Sequence, residues 1–294
     1  MTIAHRVVAA TVVVSLLAAN LALSAESGPH FDLSLATLAD DASGRSLDLN
    51  AVFTPNTHLS IAAGGGSSDA GTSVSKLHGK SFNTSVDVHF GSFGVRPGYT
   101  HWNDDEGFTA ATPQLSAYWK NGGLRLQLQA ERPKFSLDYQ LSVAAQTVQR
   151  RFEFSGNGFG GGVDYYGDHW GGYANFMSYR YGNEVARAQA ILALPNLADF
   201  PRLALLASNV ATLTNGALKD RSSAGLEYAF TKTSIHADLT RVTDAIFEIH
   251  SDSVSVGVNY LVNARFGVDL SGGISHADGF KDSRYASLVL SLHW

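Results

Sequence analysis

The sequence contains no cysteine among its 294 residues, and charged residues make up only 16% of it. The lack of cysteine excludes a disulfide framework, a thiolate metal site and a lipid-modified N-terminal cysteine. The low charge and the 29 glycines depart from an average soluble domain, which has about 25% charged residues and about 7% glycine. This composition suits strands that face an apolar environment on one side.

Positive charge and long apolar segments are also scarce. The formal net charge of -5 argues against nucleic acid as a partner, because binding phosphates requires a basic face. After the N-terminus no stretch reaches the roughly 18 apolar residues that a transmembrane helix needs. No pair among the 11 histidines has the spacing of a zinc site, and no cofactor is expected.

The first 25 residues have the pattern of a cleavable export signal. His5 and Arg6 form a short polar start, residues 7–23 are apolar almost throughout, and the small residues Ser24 and Ala25 follow. A single membrane anchor is the alternative. We predict cleavage after Ala25, with residues 26–294 as the mature chain.

Alternation of apolar and polar residues dominates the mature chain. Ser81 to Phe90, Phe135 to Leu141 and Ser253 to Tyr260 are clear examples. This period of two predicts strands with one apolar and one polar face. Short turns alternate with longer polar loops, which is typical of a barrel with tight periplasmic turns. We predict about sixteen strands, or fourteen if residues 134–155 do not form a separate pair.

Aromatic residues fall near both ends of the predicted strands, as expected for rings at two membrane interfaces. At the periplasmic ends these are Phe53, Phe90, Trp119, Tyr165, Trp170, Phe230, Tyr260, Phe266 and Trp294. At the outer ends they are Phe82, Trp102, Phe135, Phe154, Phe159, Tyr179 and Tyr181.

The last predicted strand alternates up to the final residue. Its apolar face carries Ala286, Leu288, Leu290, Leu292 and Trp294. This pattern resembles the C-terminal signal of bacterial outer-membrane β-barrel proteins, which the assembly machinery reads. The resemblance implies an all-β, closed antiparallel transmembrane β-barrel in the bacterial outer membrane, porin-like, with membrane lipid and the barrel-assembly machinery as partners. A soluble sandwich with a similar final strand is the alternative.

The polar faces of the strands carry many charges, whose burial without partners would cost several kcal/mol each. A water-filled lumen removes that cost. The candidate lumen-lining residues are Asp87, His89, Arg125, Glu131, Asp138, Arg151, Glu153, Arg180, Glu227, His236, Asp238 and Asp269.

Residues 183–220 interrupt the strand pattern. Asn183 can cap a helix, and Leu203, Leu206, Val210 and Leu213 repeat at helical spacing. We predict a partly helical external loop, which either covers the barrel mouth or folds into the lumen.

A channel is the first functional hypothesis, for small polar solutes or for export of a polymer, with a slight preference for cations. A non-conducting structural or binding barrel, closed by residues 183–220, is the alternative. An enzyme that cleaves lipid or peptide ranks last, because His236 and Asp238 are the only suggestive pair and are predicted to lie far from the outer acidic loop.

Overall fold

The chain forms one antiparallel sheet that closes on itself. The structure is a computed structural model that describes residues 29–41, 44–71, 76–105, 107–143, 146–183, 217–246 and 248–294. Its strands are β1 (His30–Asp40), β2 (Arg45–Asn56), β3 (Leu59–Gly71), β4 (Lys76–Phe90), β5 (Phe93–Asp104), β6 (Phe108–Asn121), β7 (Leu124–Glu131), β8 (Lys134–Val143), β9 (Gln146–Tyr166), β10 (Trp170–Tyr181), β11 (Leu218–Ala229), β12 (Thr233–Asp244), β13 (His250–Asn263), β14 (Phe266–Ala277) and β15 (Ser283–His293).

The first and last strands join to close the barrel. β1 pairs with β15 from Asp32↔His293 to Asp40↔Tyr285. At this seam Phe31 and Trp294 exchange two backbone hydrogen bonds of 2.9 Å. Closure gives every barrel strand two neighbours, as a sheet in lipid requires. The prediction of a closed antiparallel barrel is therefore confirmed.

β7 and β8 are one barrel strand, so the fifteen segments form a barrel of fourteen strands. Glu131 pairs with Gln114 and Lys134 pairs with Ala111, which is one unbroken register along β6. Between them Arg132 donates a backbone hydrogen bond to Pro113 at 3.0 Å. Pro133 has no N–H to continue the ladder. Sixteen strands is therefore wrong and fourteen is confirmed, because the chain runs straight through positions where we had predicted turns.

The hairpin of β8 and β9 projects beyond its neighbours. The last pairs with the flanking strands are Phe108↔Leu137 and Tyr181↔Gly156. β8 and β9 continue to pair with each other as far as Val143↔Gln146. The opposite end of the barrel carries the tight turns between strands, so it is the periplasmic end.

Large apolar side chains cover the outside of the barrel. Leu128 is 73% exposed and Leu226 66%. A soluble monomer rarely exposes so large a continuous apolar surface. The inner face instead carries polar residues such as Asp164, His236 and Ser271. The outward apolar residues are Leu35, Leu47, Leu49, Phe82, Leu115, Leu126, Leu128, Phe176, Leu226, Ile235, Leu239, Val254, Val256, Leu270 and Ile274.

The aromatic residues at the periplasmic end point outward, as in a lipid-interface girdle. Phe90, Tyr165, Trp170, Phe230 and Trp294 are all exposed there. The predicted outer girdle is largely wrong, because alternation turns most of its members inward. Only Phe82 and Phe159 are exposed; the rings that face the interior are Trp102, Phe135, Phe154, Tyr179 and Tyr181.

Two predicted segments lie outside the described residues. The export signal at residues 1–25 is one of them. The other is most of the loop at 183–220, because residues 184–216 are not described. β11 begins at Leu218, inside the predicted loop. The helical character of this loop stays a prediction. No helix in the described part of the chain is long and apolar enough to cross a membrane.

Candidate functional site

The lumen wall is formed by the inward face of the barrel strands. Directly opposed residues of antiparallel strands share a face, and successive residues alternate between faces. From the buried inward residues Asp164 and His236, the register assigns the neighbouring positions. The predicted site residues that it places on the inward face are Asp87, His89, Arg125, Glu131, Glu227, His236, Asp238 and Asp269.

Three predicted lumen residues lie on the outer face. Arg151 and Glu153 are 60% and 65% exposed and form an ion pair of 2.6 Å on the projecting hairpin. The two side chains share one face of β9 as predicted. This face points outward, because β9 runs without a break from Gln146 to Tyr166. Arg180 is exposed because it lies between the inward-facing Tyr179 and Tyr181. Asp138 pairs with Arg151 in the backbone register, and its side chain lies outside the described residues.

A recurring arrangement organises the inner wall: two side chains meet across a glycine on the strand between them. We call such a residue a bridged glycine. Tyr179 of β10 lies opposite Gly158 of β9, and Gly158 lies opposite Glu131 of β7. The Tyr179 hydroxyl donates a hydrogen bond to Glu131 at 2.7 Å. A Cβ atom at Gly158 would lie 2.5 Å from the Tyr179 ring, so only glycine leaves the space.

The same arrangement occurs elsewhere in the lumen, with varied side chains. Tyr173 donates to Asp238 at 2.9 Å over Gly225. Gln127 donates to Asn175 at 2.7 Å over Gly162. Further bridged glycines are Gly94 between Tyr118 and Asp87, Gly64 between Asn83 and Asn50, and Gly257 between His236 and Asp269.

Bridged glycines hold the polar side chains flat against the wall. A side chain that lies over a neighbouring strand does not extend toward the barrel axis, and its polar atoms find partners within the wall. This role of the glycines was not predicted from the sequence. A signal for it exists in β9, where Gly156, Gly158, Gly160 and Gly162 occupy successive inward positions.

The inward arginines in the described part of the chain are all engaged with carboxylates. Arg96 forms an ion pair with Asp87, and Arg125 forms one with Asp164 at 2.6 Å. Arg221 approaches Glu131 at 3.5 Å. Neither Arg96 nor Arg221 was predicted from the sequence to line the lumen. Their pairing reduces the free positive charge of the lumen.

Acidic residues dominate the periplasmic part of β11 to β14. His236 lies 3.5 Å from Asp269 and 4.0 Å from Asp238, and Glu227 is its direct partner in the neighbouring strand. One histidine cannot balance three carboxylates, so this part of the wall is negative. In the described part of the chain, no group of three or more His, Cys, Asp or Glu side chains is arranged so that it could hold a metal ion.

Access to the wall is uneven. Toward the outer end of β13 to β15, Ser275, Ser283 and Ser287 are no more than 3% exposed. An aromatic cluster at the outer end of β5 to β9, formed by Trp102, Phe108, Phe135 and Phe154, is also buried. Polar inward residues of β2 to β7, such as Asn50, Asn83 and Gln127, are half-buried. The β2–β7 side of the wall is therefore more accessible than the outer part of β13 to β15.

No protein-family model and no curated protein match the chain. Solved structures that resemble it include OmpT, an outer membrane protein of Vibrio cholerae, with 12% identity, 92% of this chain and 99% of that chain covered, and a TM-score of 0.49. The toluene transporter TbuX of Ralstonia pickettii has 10% identity, coverage of 91% and 89%, and a TM-score of 0.49. The KdgM porin, solved with disordered oligogalacturonate, has 9% identity, coverage of 89% and 98%, and a TM-score of 0.42.

The molecule itself defines its class. A closed antiparallel sheet with an apolar exterior, a polar interior and tight turns at one end is a transmembrane β-barrel. This is the architecture of bacterial outer-membrane β-barrel proteins. Its final strand turns Ala286, Leu288, Leu290, Leu292 and Trp294 outward.

Proposed function

We propose that the protein is an outer-membrane channel for small hydrophilic solutes. The observation that carries the proposal is the polar inner wall on β2 to β7, whose side chains lie flat over glycines and stay accessible. A barrel of fourteen strands is wider than its own side chains can fill, so it holds water unless another segment plugs it. Permeation requires no catalytic group, and we assign none.

The channel should favour cations. The inward arginines are paired within the wall, whereas Glu227, Asp238 and Asp269 share only His236. Charges that line a narrow aqueous path raise the local concentration of the opposite ion. This supports a modest cation preference rather than strict selectivity.

Single-channel recording in planar bilayers tests both statements. The purified protein should produce discrete conductance steps, and a KCl gradient should give a reversal potential of the sign for K⁺ permeation. An absence of steps above background would contradict the channel. A reversal potential of the opposite sign would contradict only the charge argument.

A barrel that is closed at rest is the second candidate. The buried serines on β13 to β15 and the buried aromatic cluster favour it, because an open lumen would leave such side chains exposed. A variant that lacks residues 184–216 discriminates the two. A large new conductance in this variant supports the closed barrel, whereas equal conductance supports the open channel. The same variant tests export of a polymer, because a polymer needs a wider lumen than a small solute does.

Membrane lipid surrounds the barrel, and we propose that the assembly machinery recognises its last strand. The outward residues Leu288, Leu292 and Trp294 support this role.

An enzymatic role would instead change the lipid or peptide composition of the cell envelope. Lipid analysis of a deletion strain should therefore find no altered species.

A further inference from the structure

Uncharged hydrogen-bonding side chains form a continuous path across the accessible wall. We call it the amide strip and define it as Asn50, Asn83, Thr100, Thr112, Gln114 and Ser116. Asn50 pairs through Gly64 with Asn83, which pairs with Thr100, which pairs with Thr112. Gln114 and Ser116 take the next two inward positions of β6. The strip thus crosses five adjacent strands without a charged side chain.

The amide strip lies in a part of the lumen wall that a solute can reach. All six of its side chains are half-buried. On the far side, Ser253 and Ser255 of β13 are 7% and 8% exposed. β13 lies seven strands from β5 in either direction round the barrel, which is diametrically opposite among fourteen strands. A solute that moves through the lumen can therefore contact β2 to β6.

Hydrogen-bonding capacity in the strip is available to a ligand. Gln114 lies over Gly98, where a Cβ atom would be 2.6 Å from its amide nitrogen. Within the described ranges, the side chains of Gln114 and Thr100 form no hydrogen bond. An amide offers two donors and an acceptor, and a hydroxyl offers both functions. These groups can therefore exchange water for the hydroxyl groups of a solute.

The charge of Asp87 next to the strip is neutralised. Asp87 accepts hydrogen bonds from Arg96 and, at 2.6 Å, from Tyr118. Asp48 borders the strip on β2, and a carboxylate accepts hydrogen bonds from solute hydroxyls. An anionic solute finds no free positive charge along the strip, because Arg96 is paired with Asp87. A neutral solute with many hydroxyl groups can bond to every member.

We propose that the amide strip binds neutral polyhydroxylated solutes, namely monosaccharides and short oligosaccharides, as they pass through the lumen. This inference rests on the proposed channel function and specifies its substrate class. Sites built to hydrogen-bond hydroxyl groups discriminate against molecules that lack them, because their polar groups would then stay unpaired. Binding is weak, since each bond replaces a bond to water.

Block of the single-channel ion current tests the inference, with maltotriose as the probe. A polyethylene glycol of matched hydrodynamic size is the comparison solute, because it is neutral but has almost no hydroxyl donors. Thr100→Val and Gln114→Leu remove hydrogen-bonding groups from the strip at similar volume. Thr240→Val is the matched control, because Thr240 faces the lumen from β12 on the far side.

Maltotriose should interrupt the current, and its dissociation constant should rise about three- to tenfold in each strip variant, the equivalent of one neutral hydrogen bond. Thr240→Val should leave the constant unchanged, and polyethylene glycol should show no variant dependence. If ions pass but maltotriose does not block, or blocks the strip variants equally, the sugar path is wrong and the channel stands. If the unmodified protein conducts no ions, both proposals fail.

Discussion

Tyr179 and Glu131 are joined by a 2.7 Å hydrogen bond although a whole strand lies between them. Glu131 also accepts a hydrogen bond from Gln129 at 2.6 Å and approaches Arg221 at 3.5 Å. Hydrogen bonds to a charged group contribute about 1.5–3 kcal/mol each. The carboxylate is thus fixed from both sides, and β7, β10 and β11 are connected across the inner wall.

Gly158→Ala should destabilise the barrel. The added Cβ would lie 2.5 Å from the Tyr179 ring, so the ring must move and its bond to Glu131 is lost. We expect a loss of about 1–3 kcal/mol in the free energy of unfolding, the usual cost of overpacking. Urea titration in lipid vesicles measures it.

Gly171→Ala is the control for this prediction. A Cβ there meets nothing closer than 3.5 Å, which is ordinary contact. Gly171 also faces the lumen, opposite Glu227. Equal stability of the two variants would mean that the space over Gly158 is not needed.

Neutralising the acidic wall should weaken cation preference. In the double variant Glu227→Gln and Asp269→Asn, two carboxylates near His236 lose their charge. We expect the reversal potential in a KCl gradient to move toward zero, because the lumen then attracts fewer cations. Planar bilayer recording gives this value directly.

Glu153→Gln is the matched control for selectivity, since Glu153 lies outside the barrel and pairs with Arg151 at 2.6 Å. Its reversal potential should equal that of the unmodified protein. A shift as large as that of the double variant would place Glu153 in the ion path, against the register of β9.

Leu128→Arg should impair insertion, because Leu128 is 73% exposed on the outer face. An arginine facing the hydrocarbon costs about 2–4 kcal/mol at the bilayer midplane. The fraction folded into vesicles, followed by the shift in electrophoretic mobility of unheated samples, measures the effect.

Gln129→Arg tests the opposite face at a neighbouring position. Gln129 faces the lumen and donates to Glu131, so an arginine there meets a carboxylate and water. It should fold about as well as the unmodified protein. Similar losses in both variants would contradict the assignment of the two faces.

Trp294→Ala should reduce the yield of assembled barrel. Trp294 contacts Phe31 edge-to-face at 5.3 Å and lies at the seam that closes the sheet. An aromatic pair contributes about 0.5–1.5 kcal/mol beyond its buried area. Loss of the proposed assembly signal adds to this cost.

Membrane fractions analysed for folded barrel show the size of the Trp294 effect. Trp170→Ala is the control, because Trp170 belongs to the same periplasmic girdle and is similarly exposed, at 59% against 58%. It should assemble at near-normal yield. An equal loss in both variants would indicate a general need for interface aromatics.

Much of the architecture could be predicted from local pattern. Alternation of the kind seen in Ser253 to Tyr260 placed strands correctly because side-chain direction in a strand depends only on sequence spacing. The strand count failed at Arg132 and Pro133, where the composition suggested a turn. Backbone hydrogen bonds to Pro113 and Gly156 on the neighbouring strands keep these residues in register. The sequence of one strand does not show which residues lie beside it.

The candidate site was predictable only in part. Glu131 and Tyr179 could be recognised as a polar and an aromatic residue on strands, yet their contact depends on Gly158 lying between them. Arg151 and Glu153 alternate as well as any lumen pair, and the continuous path of β9 alone decides that they point outward.

The sequence by itself determined that the strands have two unlike faces and that the last strand carries the apolar row ending at Trp294, because these follow from the order of residues along one strand. Tertiary structure alone decided which strands are neighbours, how many close the barrel, and which glycines lie beneath Tyr179, Tyr173 and Gln127. Those features depend on register between strands, which hydrogen bonding and closure set for all strands together.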